Sequence, residues 1–153
     1  MIVNPKNHLF LCRVNSLLMR DTRMTADLIF YTHPMSRGRI VCWILEETGA
    51  EYDTEILDYE TGMKAPAYLA INPMGKVPAI VHGGHVVTEC AAICAYLADV
   101  FSDAGLAPRA AGRAEYYQWL FFAAGPLEQA VTNRYLWRRA DRATDPDGGL
   151  WQL

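Results

Sequence analysis

The stretch "NPMGKVPAIVHGGHVVTEC", which runs from residue 72 to residue 90, decides the fold of this 153-residue chain. It contains two short apolar runs rich in β-branched residues, "VPAIV" at 77–81 and "HVVTE" at 85–89. Gly83 and Gly84 lie between them, and a pair of glycines is well suited to the positive backbone angles of a tight turn. The pattern therefore predicts a β-hairpin with Gly83-Gly84 at its tip.

Pro78 is an unusual residue to find inside the first of these runs. Proline cannot donate a ladder hydrogen bond, so it normally stands at the edge or at the start of a strand. Taken alone, the residue leaves two readings open. Either Pro78 is an ordinary trans proline at a strand start, or the bond between Val77 and Pro78 serves a particular purpose.

The segments around the hairpin show a mixed α/β pattern. A strand buried on both faces, a helix that ends at Gly49, a second strand and a short irregular helix are expected before the hairpin. A longer helix with apolar residues at helical spacing is expected after it. In chain order these are "ADLIFYT" (26–32), "IVCWILEETG" (40–49), "EYDTEILD" (51–58), the stretch between Gly62 and Pro73, and "ECAAICAYLADVF" (89–101). The predicted order is β-α-β-(α)-β-β-α.

Composition indicates a soluble globular protein. Hydrophobic residues make up 52% of the chain, charged residues make up 20%, and the formal net charge is −3. This slightly acidic balance gives no reason to expect a nucleic-acid partner. The apolar stretch at 8–19 is interrupted by Arg13 and Asn15, so it is too short for a membrane span and lacks a clear cleavage site. We therefore expect a cytoplasmic location, with no membrane and no nucleic acid as partner.

The chain also divides by composition. Met24 stands directly before the first convincing strand, so either Met1 or Met24 is a candidate start. The last residues complete no recognisable element, which indicates that the final helical region is incomplete. The predicted divisions are a disordered N-terminal extension (1–25), an α/β domain (26–102), a linker rich in Gly, Pro and Ala (103–108), and a partial all-α domain interrupted at Gly125-Pro126 (109–153).

Three separated motifs occur in the order in which one known protein family has them. They are "PMSRGR" (34–39), "NPMGKVP" (72–78) and "TEC" (88–90). Together they resemble the cytosolic glutathione transferase family in its bacterial branch, and the resemblance runs from about Asp27 to about Tyr135. It implies a thioredoxin-like domain that binds glutathione, followed by a helical domain that is truncated here. It also implies a cytoplasmic, dimeric detoxification enzyme that conjugates glutathione to small electrophiles.

The resemblance also assigns roles to the residues that bind glutathione. It implies a cis peptide bond at Val77–Pro78, which presents the Val77 N–H and C=O to the cysteinyl unit. Lys76 is expected to meet the glycyl carboxylate. Glu89 is expected to bind the ammonium group at the γ-glutamyl end, beside backbone N–H groups of a helix N-terminus. Cys90 departs from the family, which usually has serine there, and a thiol is the weaker donor.

Ser36 is the catalytic candidate, because a hydroxyl at a helix start can stabilise the thiolate of glutathione. Serine is also a favoured N-cap residue, and the two roles are compatible. Tyr31 is the rival, since some branches of the family use a tyrosine hydroxyl from the end of the first strand. His82 and His85 flank the hairpin turn without a carboxylate at ligand spacing, so we expect no metal.

Two other functions are compatible with the same sequence. The chain could be a non-catalytic glutathione-binding or protein-interaction module of the same fold. It could also be an inactive, truncated transferase.

Overall fold

The computed structural model of the chain describes residues 26–144, with side chains up to residue 138. The predicted N-terminal extension at 1–25, with its two candidate starts, lies outside the described residues, as do residues 145–153. The chain divides into two compact units between Ala107 and Pro108, and each is described by itself.

The first unit is built on a four-stranded mixed sheet with strand order β2-β1-β3-β4. β1 pairs with β2 in parallel, whereas β1 with β3 and β3 with β4 are antiparallel. The elements are β1 (Leu28–Thr32), α1 (Gly38–Thr48), β2 (Asp53–Ile56), a 3₁₀ turn (Gly62–Lys64), α2 (Pro66–Leu69), β3 (Ala79–His82), β4 (His85–Thr88), α3 (Cys90–Val100) and a 3₁₀ turn (Ser102–Ala104). This order confirms the predicted thioredoxin-like arrangement.

The core lies between the sheet and the two longer helices of this unit. Its fully buried side chains come from β1, α1, β3 and α3, and include Phe30, Val41, Leu45, Ile80 and Leu97. The prediction that β1 is buried on both faces was wrong, because buried and half-buried residues alternate along it. α1 and α3 cover one face, whereas the contact found on the other face is with the single-turn helix α2.

The predicted turns are confirmed at their glycines. Gly49 follows α1 in the left-handed region, with φ of 66°, and its N–H bonds to the Glu46 carbonyl at 3.2 Å. Gly83 and Gly84 have φ of 54° and 79° at the tip of the β3–β4 hairpin. Positive φ is disfavoured for residues with a Cβ, so glycine suits these three positions.

β3 begins later than the sequence predicts. The ladder starts at Ala79, which pairs with Tyr31, so Val77 and Pro78 lie outside the strand. The reason is local, because Pro78 has no N–H to place in the ladder. The Val77–Pro78 peptide bond is cis, as expected.

The second unit is helical. A 3₁₀ turn (Ala110–Gly112) leads into α4 (Arg113–Phe122), a five-residue π-helical turn (Ala123–Leu127) and α5 (Glu128–Thr144). The predicted interruption at Gly125-Pro126 is therefore a widened turn inside a continuing helix, which accommodates a proline that lacks an N–H. Within residues 26–144, no helix has both the length and the apolar character needed to cross a membrane.

Candidate functional site

Three loops leave the sheet of the first unit at the same edge. Tyr31, near the end of β1, pairs with Ala79 at the start of β3. Ala79 in turn pairs with Thr88 at the end of β4. The turn before α1, the loop before β3 and the start of α3 therefore begin or end side by side. This edge gathers the three motifs on which the sequence prediction rests.

The turn before α1 holds Ser36 in a compact set of local hydrogen bonds. The Ser36 hydroxyl donates to the His33 carbonyl at 2.7 Å and accepts from the Gly38 N–H at 3.0 Å. It also lies 3.4 Å from the His33 N–H. Ser36 therefore supplies the capping oxygen of α1, and its only proton is directed into its own turn.

Gly38 allows α1 to begin directly against the end of β1. A Cβ at Gly38 would overlap the Thr32 hydroxyl and would meet the Ser36 hydroxyl at 3.0 Å. A larger residue would have to push the helix away from the strand. This close approach keeps the Ser36 turn at the sheet edge.

Tyr31 points to a different neighbour. Its ring packs against Tyr68 of α2, with 5.4 Å between ring centroids, on the sheet face opposite to that of α1. Burial, followed by the negative charge of Glu55, raises the pKa of Tyr31. The phenol is thus neutral at physiological pH and packs within the fold, whereas Ser36 lies in the turn that opens α1.

Two buried side chains hold the loop before β3 through hydrogen bonds. The Lys76 carbonyl accepts from the Tyr68 hydroxyl at 2.6 Å and from the Asn72 side-chain amide at 2.8 Å. Burial, the largest cause, raises the pKa of Tyr68, which keeps its hydroxyl protonated as a donor. The adjacent Gly75 carbonyl accepts from the Lys64 ammonium at 2.9 Å.

Sequence reasoning missed Lys64, Tyr68 and Asn72 as residues of this site. Asn72 stands inside the quoted motif "NPMGKVP", but nothing in its spacing shows which carbonyl it meets. Gly75, in the same motif, is a residue whose type could have drawn attention to the loop, because glycine is favoured where φ is positive. Its φ is 57°, in the left-handed region. A Cβ there would also lie 2.8 Å from the Met63 carbonyl oxygen, so the loop requires glycine at this position.

Val77 and Lys76 present unused groups at this edge. Val77 is half-buried, and within residues 26–144 neither its N–H nor its C=O forms a hydrogen bond. The Lys76 side chain is exposed, and its ammonium makes no ion pair or hydrogen bond with any residue of the described chain. A peptide ligand at this edge would find one donor, one acceptor and one cation.

The start of α3 carries backbone strain at Glu89. With φ of 67° and ψ of 125°, Glu89 is the one non-glycine residue with positive φ in the described part of the chain. Its carbonyl accepts from the Ile93 N–H at 2.9 Å, while its carboxylate is exposed and caps nothing. Strain of this kind tends to persist at functional sites, where the surrounding structure enforces it.

Cys90 connects the starts of the two longer helices of the first unit. Its sulfur lies 3.6 Å from the Arg37 carbonyl, one residue after Ser36. The structure therefore brings Cys90 and the Ser36 turn together, with Glu89 adjacent. In the described residues, no group of three or more His, Cys, Asp or Glu side chains could hold a metal ion.

Comparisons with known proteins show which family the first unit resembles. The family model for the glutathione S-transferase N-terminal domain matches residues 26–99. Glutathione S-transferase 3 of Zea mays is 36% identical over 99 residues, which are 62% of this chain and 45% of that protein.

Solved structures show the same likeness. A theta class glutathione S-transferase from Xanthomonas axonopodis pv. citri, with glutathione bound, superposes with a TM-score of 0.59 at 29% identity, over 65% of this chain and 49% of that one. A glutathione transferase homolog from Sulfitobacter with bound glutathione gives 0.58 at 31% identity, over 64% and 49%. The chain thus spans about half the length of the relatives that it matches.

Proposed function

Residues 26–99 belong to the glutathione S-transferase N-terminal domain family, and from this premise we propose that the chain binds glutathione at the shared sheet edge and ionises its thiol. The observation that carries the proposal is the unpaired backbone of Val77, which lies between the Ser36 turn and the strained Glu89. Two relatives of this fold have been solved with glutathione bound.

Each end of the tripeptide has a complementary group at this edge. The Val77 N–H and C=O pair with the cysteinyl unit, in the manner of an added strand. The exposed ammonium of Lys76 meets the glycyl carboxylate. At the other end the Glu89 carboxylate binds the ammonium group, and the N-terminus of α3 at Cys90 binds the γ-glutamyl carboxylate.

Ser36 acts on the thiol by turning its own hydroxyl proton towards the sulfur. A thiol has an ordinary pKa of about 8.5. Moving the Ser36 proton from the His33 carbonyl to a thiolate exchanges a neutral hydrogen bond for a charge-assisted one, a gain of about 1–1.5 kcal/mol. The N-terminus of α1 adds up to about 1 kcal/mol. Together these lower the thiol pKa by roughly 1.5 units.

The capping role of Ser36 survives this change. A hydroxyl has one proton to donate and two lone pairs that accept. Its contact with the Gly38 N–H uses a lone pair, so the helix stays capped while the proton points to the ligand. The thiol releases its proton to solvent, and the resulting thiolate forms a carbon–sulfur bond with a small electrophile while the leaving group, such as the halide of an aromatic halide, departs. We further propose that the whole protein is a cytoplasmic homodimer, as the resemblance implies.

A conjugation assay with a simple aromatic halide and glutathione tests the proposal. We expect Ser36→Ala to lower kcat/KM by at least about tenfold, since it removes one charge-assisted hydrogen bond to the thiolate. Ser102→Ala, which deletes an exposed hydroxyl in the turn after α3, is the matched control and keeps the wild-type rate. An unchanged rate in Ser36→Ala removes Ser36 from the mechanism.

A second function is favoured by one specific observation. The Ser36 proton is already donated to the His33 carbonyl at 2.7 Å, so the site can bind glutathione without ionising it. The chain would then be a glutathione-binding module rather than a transferase. Calorimetric binding of glutathione, without turnover of any electrophile tested, distinguishes this function from conjugation.

A further inference from the structure

We propose that Tyr68 and Asn72 are positioning residues. By hydrogen-bonding to the Lys76 carbonyl, they orient the Lys76–Val77 peptide so that the Val77 N–H points to the ligand. The inference rests on the proposed function, since it explains how one contact of the glutathione site is set. Both side chains act through Lys76, because the Tyr68 hydroxyl and the Asn72 side-chain amide each donate to its carbonyl.

The geometry of one peptide group connects the two ends of the arrangement. The Lys76–Val77 peptide contains the carbonyl that Tyr68 and Asn72 hold and the N–H that Val77 presents. This group is planar and trans, so its C=O and N–H point in opposite directions. Fixing the carbonyl towards Tyr68 and Asn72 therefore turns the N–H away from them, to where no described residue pairs with it.

Burial makes this hold on the carbonyl firm. Tyr68 is 3% exposed and Asn72 is 5% exposed, so no bulk water competes for their donors. A buried donor without a partner is costly, and the Lys76 carbonyl satisfies both. Asn72 is itself fixed, since its side-chain oxygen accepts from the Met74 N–H at 3.1 Å.

Tyr31 supports the arrangement through its ring. The Tyr31 and Tyr68 rings lie 5.4 Å apart at a tilt of 44°, so Tyr31 limits the positions that the Tyr68 hydroxyl can take. This gives Tyr31 a place in the site without any contact between its hydroxyl and a thiol. Pro78 has no N–H, so Val77 carries the only backbone donor of the two residues before the ladder begins.

The test compares Tyr68→Phe, Asn72→Ala and the double variant. Each single variant leaves one bond on the Lys76 carbonyl, so we expect glutathione binding, measured by calorimetry, to weaken by only about threefold. The double variant frees the carbonyl, and its loss should exceed the product of the two single losses. Tyr52→Phe, which deletes a hydroxyl bonded at 2.6 Å to Glu46, is the matched control and binds as the wild type does.

A second readout separates positioning from a general loss of stability. In ¹⁵N-resolved spectra of the ligand-free chain, the Val77 amide signal should move or broaden in both single variants and keep its place in Tyr52→Phe. If the double variant does not fold, the two single variants carry the test. Wild-type-like affinity and an unmoved Val77 amide in folded variants would overturn the inference. Absence of glutathione binding by the wild-type chain would instead overturn the proposed function.

Discussion

The turn before α1 and the loop before β3 present polar groups at the same edge, but they are held in opposite ways. Within residues 26–144, the Ser36 hydroxyl bonds only to residues within three positions of it in the chain. The Lys76 carbonyl is held by a side chain eight residues away and by another four residues away. The Ser36 hydroxyl thus has local partners, whereas the Lys76 carbonyl depends on buried supports.

This difference suits two different tasks. A hydroxyl held by weak local bonds can turn its proton to a new acceptor without disturbing the fold. A backbone N–H cannot turn by itself, because the peptide plane must turn with it. The thiol-activating group is therefore adjustable, and the ligand-docking group is set in advance.

Gly75→Ala disturbs the conformation of the loop before β3, and we expect it to have the largest effect on stability and on glutathione binding. The substitution places a Cβ at φ of 57° and 2.8 Å from the Met63 carbonyl oxygen. We expect a loss of about 2–4 kcal/mol in the free energy of unfolding, measured in urea. Glutathione binding should fall with it, because the neighbouring Lys76–Val77 peptide must shift.

Gly49→Ala is the matched control for this change. Gly49 has a similar φ of 66°, but a Cβ there would meet no atom within 4 Å. It should cost about 1 kcal/mol of stability from the backbone angle alone and leave glutathione binding unchanged. Equal effects of the two substitutions would show that the loop has no special steric requirement.

Cys90→Ser sharpens the comparison at the third segment of the edge, with a smaller effect. A hydroxyl donates a stronger hydrogen bond than a thiol does. We expect glutathione to bind about two- to fivefold more tightly, measured by calorimetry. The gain should appear in the dissociation constant and leave the fold as it is.

Cys94→Ser serves as its control, one helical turn along α3. Cys94 is half-buried, and burial raises the pKa of its thiol, so serine there places a hydroxyl in an apolar setting. Stability should fall while glutathione binding stays the same. A Cys90→Ser variant that binds no better than the wild type would mean that the side chain at this position keeps its proton on the Arg37 carbonyl and does not donate to the ligand.

Local patterns predicted the elements of the first unit well. Gly49, Gly83 and Gly84 have positive φ. Glycine adopts positive φ readily because it has no Cβ, so its turns can be predicted from the residue type alone. The sequence of α1 also has helical spacing, because its apolar residues Ile40 and Ile44, and Val41 and Leu45, stand four positions apart, but the two pairs differ in burial. Val41 and Leu45 are fully buried, whereas Ile40 is 47% exposed, because only one stripe of the helix can face the sheet.

The supports of the docking loop could not be predicted in the same way. Tyr68 and Asn72 reach one carbonyl because α2 and the following turn fold back against the loop. The spacing of residues in the sequence does not predict this contact. Likewise, "VPAIV" indicated a strand from Val77, but the ladder begins at Ala79. The strand pattern does not show where pairing stops and where a backbone is left for a ligand.

Titration of the thiol of bound glutathione tests the central claim most directly. Thiolate absorbance in the ultraviolet, followed against pH in the complex, should give a thiol pKa roughly 1.5 units below that of free glutathione. In Ser36→Ala the value should return most of the way to that of the free tripeptide. A bound thiol that titrates as in free solution, or a lowered pKa that persists in Ser36→Ala, would contradict the account.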